Sequence, residues 1–507
     1  MFLVSRRQKP TTILQMPTRQ IASSTLWQLS SQIVMAALSI LTVKFVAIGL
    51  SKELAGNYNS AYGFLQLFGI LADFGLYAVG VREMARAKDR SAVLGALMII
   101  RSVILFLSLA LALVLVWLLP QWRGTPLPLS VTIAALVPLF ALLAGILRTV
   151  FQVHHRMQYV FIAEVTHRLI TTGLIALFII GGVRGSVDVR ILYSFLLIGG
   201  IGAFVLLIIS ALAAGHFEKI QWNVDRKVMK SILRQSIPFG AAFLCMALYR
   251  QLDVTMIALL RPDFEIQNAE YGFVLRMVEM GYVIPTFLLN SVLPTLSERD
   301  NRGEDTRDLL GKTLIVLLLL GTTAALFCIF WSRPLVQLLT TDAYLSTPEK
   351  FGSDTALMLM GLPVFLNGLV QYGFYVLLNR GRSKPLVIML GLAAILSIGL
   401  NFLFISSHGY IGATITSNII HLLLAVTLMI AAQRTMPAKL PMQSLIKILL
   451  FACVLGTGLW QAAPFLQSEI PTVMGLIAAT IGMGMVMFIF RIHTIFLSRE
   501  ILKEKLI

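Results

Sequence analysis

Apolar stretches long enough to cross a bilayer recur almost without interruption between Thr25 and Arg491. A helix needs about 20 predominantly apolar residues to span the roughly 30 Å of hydrocarbon in a membrane. The chain is 57% hydrophobic and 13% charged, whereas a soluble domain is roughly 45–50% apolar and about 25% charged. This pattern excludes a water-soluble globule and predicts an all-α polytopic membrane protein with about fourteen transmembrane helices.

The net charge of +17 is explained by membrane topology rather than by a surface that binds nucleic acid. Most of the Lys and Arg residues fall on one side of the predicted bundle, in clusters such as those within 82–90, 226–230 and 380–384. Loops on the cytoplasmic side of a membrane are enriched in Lys and Arg. We therefore expect a multi-pass protein of the plasma (inner) membrane with both termini in the cytoplasm, and no nucleic-acid partner.

The sequence contains an internal repeat. The segment Ala61–Phe64 (AYGF) matches Glu270–Phe273 (EYGF), and Val137–Phe140 (VPLF) matches Leu362–Phe365 (LPVF). Each half has an even number of predicted spans, so both halves enter the membrane from the same side and the repeat is parallel. Two bundles of this kind can rock against each other around a site near the bilayer midplane, as in transporters.

The repeat divides the chain into six segments. They are a basic cytoplasmic N-terminus (1–24), an N-terminal six-helix lobe (25–215), a cytoplasmic linker (216–232), a C-terminal six-helix lobe (233–432), an additional two-helix hairpin (433–491) and a cytoplasmic tail (492–507).

Several segments resemble the polysaccharide flippases of the multidrug/oligosaccharidyl-lipid/polysaccharide (MOP) exporter superfamily. The resemblance rests on Gly56–Tyr58, Leu71–Leu76 and Val81–Arg86, and on Arg250, Asp253 and Ala269–Gly272 in the second half. It implies a flippase for O-antigen, capsule or exopolysaccharide repeat units that moves polyprenyl-diphosphate-linked oligosaccharide from the cytoplasmic to the outer leaflet. It also implies the lipid bilayer and the glycan polymerase machinery as partners. Many members of this family have twelve spans, so the last two predicted spans of this chain depart from the family pattern.

Ionisable side chains inside a membrane are costly and usually face a cavity or a charged partner. The candidate substrate-binding residues in the cavity are the basic ones: Arg250, Arg276, Lys44, Arg101 and Arg168. The candidate residues for ion coupling or charge balance are the acids: Asp73, Asp253, Glu279 and Glu164. Because Arg148 is also basic, the interior carries two more basic than acidic groups, which favours an anionic diphosphate.

Other interpretations of these residues stay open at this point. Arg250 with Asp253, and Arg276 with Glu279, lie three residues apart, so each pair shares a helix face and could be a neutral ion pair. Glu164 and Arg168 are four apart and could pair in the same way. Lys44 and Arg148 lie near predicted span ends and could extend to the interface. Asp73 could bind a coupling ion or cap a helix break.

Other motifs carry little functional signal. Gly311–Thr313 (GKT) is similar to the end of a phosphate-binding loop, but Thr306 stands where that motif requires glycine. His154 and His155 are adjacent rather than spaced for a metal, and His421 is a lone polar residue. The cysteines lie in apolar spans, which predicts packing roles: Cys245, Cys328 and Cys453. We expect no cofactor, metal or catalytic residue.

Two other functions compete with the flippase. A MATE-like cation-coupled multidrug exporter would share the fold, but a net basic interior repels cationic drugs. A membrane glycan polymerase or glycosyltransferase would need catalytic groups outside the bilayer. The longest predicted external loop, 332–353, has no convergent pair of acids. The sequence therefore favours a non-enzymatic flippase.

Overall fold

The computed structural model describes residues 18–73, 75–87, 89–219, 226–466 and 468–489. Within these ranges the chain is almost entirely helical, and its only strand-like features are two isolated bridges. Thirteen helical segments of the described chain are long and apolar enough to cross a membrane. The predicted tail, most of the basic N-terminus and the middle of the linker lie outside the described residues.

In the described residues the first lobe has eight α-helices, which occupy the first six predicted spans. They are α1 (Thr18–Gly49), α2 (Lys52–Asp73), α3 (Leu76–Arg86), α4 (Arg90–Leu118), α5 (Leu127–Ala134), α6 (Leu136–Val153), α7 (Met157–Ile180) and α8 (Val189–Ala214).

The described part of the second lobe also has eight α-helices, and a two-helix hairpin follows it. The lobe consists of α9 (Arg226–Leu260), α10 (Phe264–Asn301), α11 (Arg307–Phe330), α12 (Ser332–Leu339), α13 (Ser353–Leu359), α14 (Gly361–Asn379), α15 (Ser383–His408) and α16 (Tyr410–Thr435). The hairpin is formed by α17 (Met442–Ala462) and α18 (Glu469–Ile489).

The two lobes are built from the same helix pairs. In the first lobe α1 packs on α7 and α6 packs on α8, while in the second lobe α9 packs on α15 and α14 packs on α16. Counted from the start of each half, these are the same spans. The predicted all-α fold of two lobes related by a repeat, with an additional C-terminal hairpin, is confirmed.

Two prolines interrupt corresponding spans of the two lobes. A proline ring inside a helix clashes with the carbonyl group four residues earlier. Pro138 lies four residues after Ala134, the last residue of α5, and Pro363 lies four residues after Leu359, the last residue of α13. The proline in the repeated VPLF and LPVF segments therefore produces the same break in each lobe.

The second predicted span is not one helix. Gly75 separates α2 from α3 and has a φ angle of 69°, in the left-handed region that glycine adopts without a steric penalty. The corresponding helix of the second lobe, α10, continues unbroken to Asn301. The repeat is therefore exact in the order of its spans but not in this break.

α2 lies between the lobes and packs against both α9 and α10. It carries the buried polar residues Asn57, Asn59 and Ser60, and it is absent from the thirteen apolar spans. The Asn59 side-chain amide donates to the Asn268 carbonyl oxygen at 3.1 Å, and the Asn268 side-chain amide donates to Ser60 Oγ at 2.8 Å. A helix this polar can lie within the membrane because protein, and not lipid, surrounds it.

The hairpin attaches to the second lobe through a close approach of backbone to glycine. A Cβ atom at Gly311 would lie 1.9 Å from the Lys439 carbonyl oxygen. The Lys439 amide in turn donates to the Arg307 carbonyl oxygen at 3.0 Å. The glycine of the GKT segment therefore serves helix packing, since the chain that leads into α17 runs directly over it.

We expect Gly311→Ala to destabilise the protein by about 1–3 kcal/mol, the usual cost of overpacking a tight contact. The physical reason is that the added methyl group would overlap the Lys439 carbonyl oxygen. The measurement is the thermal unfolding midpoint in detergent. Gly399→Ala is the matched control, because no atom lies within 4 Å of a Cβ at this helical glycine. Equal midpoints for the two variants would contradict this account of the contact.

Candidate functional site

A cavity of about 670 Å³ lies between the lobes. Its walls come from α1, α2, α6, α7 and α8 of the first lobe and from α10 of the second. Its polar lining residues are Ser39, Thr42, Tyr58, Tyr62, Gln66, Asp73, His167, Arg168, Thr171, Arg276 and Glu279. Four of the nine predicted site residues line this cavity: Asp73, Arg168, Arg276 and Glu279.

Arg276 and Glu279 both line the cavity but do not form an ion pair with each other. Glu279 accepts a hydrogen bond from the side-chain amide of Gln251 at 3.1 Å. The Arg276 guanidinium lies over the rings of Tyr58 and Tyr62, with its Cζ atom 5.2 and 5.4 Å from the ring centroids. The alternative of a self-neutralising pair on α10 is therefore not formed as a direct contact in the described structure.

Arg250 and Asp253 are also apart. Asp253 is 2% exposed and accepts hydrogen bonds from the Tyr271 hydroxyl and the Asn401 amide, each at 2.7 Å. Arg250 lines a smaller pocket of about 160 Å³, which shares Ile70 and Asp73 with the central cavity. Asp253 thus lies inside the second lobe, whereas Arg250 faces the boundary between the lobes.

Arg168 lines the cavity without the carboxylate expected from its own helix. Glu164 instead accepts from Arg148 at 2.9 Å and from the Ser31 hydroxyl at 2.6 Å. The alternative of an i,i+4 pair between Glu164 and Arg168 is therefore wrong, and the acid acts as a bridge from α7 to α6 and α1. Glu164 does not line the cavity in the described structure.

Asp73 and Arg101 hold the break between α2 and α3. Arg101, 2% exposed, forms an ion pair with the Asp73 carboxylate, and its Nη1 donates to the Asp73 carbonyl oxygen at 3.1 Å. It also donates to the Leu142 carbonyl oxygen at 3.3 Å. Arg101 therefore supplies a hydrogen-bond donor to the free carbonyl group at the end of α2. It does not line the cavity, contrary to its predicted role. Asp73 does line the cavity, but its carboxylate is already paired with the Arg101 guanidinium.

Lys44 does not reach the central cavity, which corrects its predicted role as a cavity residue. Its ammonium group forms an ion pair of 2.7 Å with Glu469 at the start of α18. Both residues line a separate pocket of about 860 Å³, beside the ends of α1 and α7. Lys44 thus connects the first lobe to the hairpin.

One end of the boundary between the lobes is closed by a lysine of the first lobe. Lys52 forms an ion pair with the buried Glu270, donates to the Ala343 carbonyl oxygen at 3.0 Å and lies 5.4 Å from the centroid of the Tyr344 ring. We call Glu270, Ala343 and Tyr344 the Lys52 socket. Lys350 also pairs with Glu270, at 3.0 Å. The N-terminal ends of α2 and α10 are locked together here.

Sequence reasoning missed the aromatic residues at the cleft. Tyr58 and Tyr62 lie one helical turn apart on α2, and Tyr282 lies beneath Arg250 with 4.7 Å between its ring centroid and the guanidinium carbon. The i,i+4 spacing of Tyr58 and Tyr62 in a polar helix was an available signal. The contact between Tyr282 and Arg250 could not be predicted from the sequence, because it joins α10 to a different helix, α9.

Several solved structures are similar to this chain. The lipid II flippase MurJ in an inward closed conformation has a TM-score of 0.72 and 13% identity, covering 94% of this chain and 100% of its own. An inward-facing MATE family multidrug transporter has a TM-score of 0.58 and 12% identity over 81% of this chain and 97% of its own. A MOP superfamily transporter from Pyrococcus furiosus has a TM-score of 0.56 and 15% identity, covering 84% of this chain and 98% of its own. These similarities show the fold.

Family models match the sequence itself. The model described as polysaccharide biosynthesis protein matches residues 21–300, which is more than half of the chain, and the MatE model matches residues 238–403. No curated protein sequence matches. The chain belongs to the polysaccharide biosynthesis protein family.

Proposed function

We propose that the protein is a flippase that moves polyprenyl-diphosphate-linked oligosaccharide from the cytoplasmic to the outer leaflet for cell-surface polysaccharide biosynthesis. One observation carries the proposal. Arg168, Arg250 and Arg276 lie at the cavity or the pocket adjoining it, and none forms a direct ion pair among the described residues, although Glu279 lines the same cavity. The other two arginines of the interior, Arg101 and Arg148, are ion-paired.

An unpaired cation in a membrane protein is expensive, at about 2.5–3.5 kcal/mol on insertion scales, and usually marks a substrate or ion pathway. A guanidinium has a planar fork of N–H donors that matches two phosphate oxygens at once. A diphosphate diester carries a negative charge on each phosphate. Three arginines opposed mainly by Glu279 provide the excess of positive charge that such a group needs.

The closed end of the lobe boundary supports transport by alternating access. The Lys52 socket lies at the start of α2, whereas the cavity extends from Tyr58 to Asp73 along the same helix, a length of roughly 20 Å at 1.5 Å per residue. With both termini in the cytoplasm, as the positive-inside rule predicts, the socket closes the outer side. The head group would cross when the lobes separate there and close at the other end, with the lipid tail remaining in the bilayer.

The acids have separate parts in this proposal. Glu279 balances charge in the cavity, since it lines the cavity beside the arginines, and Asp73 balances Arg101 at the cavity wall. Asp253 is the better candidate for coupling to an ion, because it is buried and has no cationic partner, only Tyr271 and Asn401. Glu164 balances Arg148. No step requires covalent chemistry, and the translocated lipid would be available to glycan polymerase machinery on the outer face.

A MATE-like exporter is the second candidate, since the MatE model matches residues 238–403 and MATE transporters share the fold. A cationic drug would meet three arginines at the cleft, which disfavours it electrostatically. The name of the MurJ structure, a lipid II flippase, supports a lipid-linked substrate instead. A change in drug susceptibility without any change in surface glycan would favour the exporter.

Arg250→Gln and Arg276→Gln should each strongly reduce surface glycan at normal protein levels. Loss of hydrogen bonds to a charged group costs about 1.5–3 kcal/mol, which corresponds to roughly 10- to 100-fold weaker substrate binding. The measurement is immunoblotting of surface glycan, with mass spectrometry of lipids that copurify with the protein. Arg190→Gln is the control, because this arginine lies in the first turn of α8 and does not line the cavity. Unchanged glycan in both cleft variants would remove the site assignment.

Lys52→Gln should open the socket end of the lobe boundary more often. The substitution removes the cation from Glu270 and Tyr344 but leaves α2 otherwise intact. A cysteine placed at Ser39 in the cavity, with the three native cysteines replaced by serine, should then react at least about tenfold faster with an impermeant maleimide added outside, a shift of about 1.4 kcal/mol.

The matched control for Lys52→Gln is Lys312→Gln, which breaks an ion pair of 2.7 Å with Asp308 inside a single helix. It should leave the labelling rate unchanged. An equal rate in the Lys52 variant and the parent would show that the socket does not hold the lobes together.

A further inference from the structure

Two of the three cavity arginines, Arg276 and Arg250, lie over aromatic rings and form no direct ion pair among the described residues. The Cζ atom of Arg276 lies 5.2 Å from the Tyr58 centroid and 5.4 Å from the Tyr62 centroid, and that of Arg250 lies 4.7 Å from the Tyr282 centroid. A cation within about 6 Å of an aromatic centroid is attracted by the negative face of the ring. Each guanidinium therefore has an electrostatic partner that is not an anion.

Two other cations in the structure show the contrast. Arg148 lies 5.8 Å from the Tyr77 centroid and Lys52 lies 5.4 Å from the Tyr344 centroid. Both also have a carboxylate, from Glu164 and Glu270 respectively. These two cations thus have a ring and a directly paired acid, whereas Arg250 and Arg276 have the ring without a direct ion pair among the described residues.

The distinction matters because the two partners use different parts of the guanidinium. A carboxylate occupies the N–H donors at the edge of the plane, while a ring attracts the cation and leaves those donors available. The Nε atom of Arg250 is buried without a hydrogen-bond partner, as are those of Arg168 and of the ion-paired Arg148. Such donors are suited to an incoming anion with several oxygen atoms.

The rings themselves are fixed by packing. Tyr58 is 3% exposed, and the rings of Tyr58 and Tyr62 are 4.8 Å apart at a tilt of 58°. Tyr282 shares a hydrogen bond of 3.3 Å with His421 Nε2, and the other ring nitrogen of His421 lies 2.8 Å from the Ser417 carbonyl oxygen. His421 of α16 therefore supports the ring below Arg250.

We propose that Tyr58, Tyr62 and Tyr282 are positioning residues that hold Arg276 and Arg250 with their N–H donors free for the two phosphates of the substrate. The proposal rests on the proposed function. Tyr58 and Tyr62 belong to the first lobe and Arg276 to the second, so this contact also crosses the lobe boundary. The Arg250 contact with Tyr282 lies within the second lobe.

The test measures binding of farnesyl diphosphate and farnesyl monophosphate to the full-length protein in detergent. Tyr62→Leu and Tyr282→Leu should weaken diphosphate binding roughly 3- to 30-fold and reduce its preference over the monophosphate. Tyr62→Phe and Tyr282→Phe keep the aromatic face and should bind within about twofold of the parent. Tyr77→Leu is the matched control and should bind like the parent, because the cation above this ring is paired with Glu164.

The outcomes separate this proposal from the one on which it rests. If the unmodified protein shows no preference for the diphosphate, the proposed function fails and the positioning role with it. If the preference exists but both leucine variants retain it, only the positioning role is overturned. Equal losses in the phenylalanine and leucine variants would assign the effect to the tyrosine hydroxyl groups and would also overturn the role of the ring faces. Measuring the preference, and not affinity alone, excludes a general loss of folding.

Discussion

The architecture depends on keeping α2 away from lipid. Hydrocarbon offers no hydrogen-bond partner to polar side chains, and α2 carries Asn57, Asn59 and Ser60 on its buried surface. Their partners come largely from α10, where Asn268 and Glu265 supply them. This requirement brings the two lobes together along one polar helix. The cavity forms further along α2, where the contact with α10 gives way to open space.

Much of the fold could be predicted from sequence because its causes are local. Apolar length identifies a span wherever it occurs, and Pro138 and Pro363 act on the carbonyl group four residues earlier in any helix. The break at Gly75 was harder to predict, since a glycine inside an apolar helix is often tolerated. The break is stabilised by Arg101, which is distant in sequence and whose guanidinium binds the carbonyl group at the end of α2.

The sequence identifies which charged residues lie within the spans, but it does not identify their partners. Spacing places Arg250 and Asp253 on one helix face, yet Asp253 is bound by Tyr271 and Asn401 from two other helices. Lys44 finds its acid 425 residues away in the sequence. A count of charges predicted a basic interior. The structure shows that ion pairing cancels the charge of Arg101 and Arg148 and concentrates the surplus at the cleft.

The ion pair between Lys44 and Glu469 links the hairpin to the first lobe. α17 packs on α11 of the second lobe, while Glu469 at the start of α18 binds α1 of the first lobe. The hairpin therefore contacts both lobes: helix packing joins it to the second, and an ion pair joins it to the first. In the alternating access that we propose, rotation of the lobes against each other would separate Lys44 from Glu469. The last two helices would then add to the resistance against that rotation.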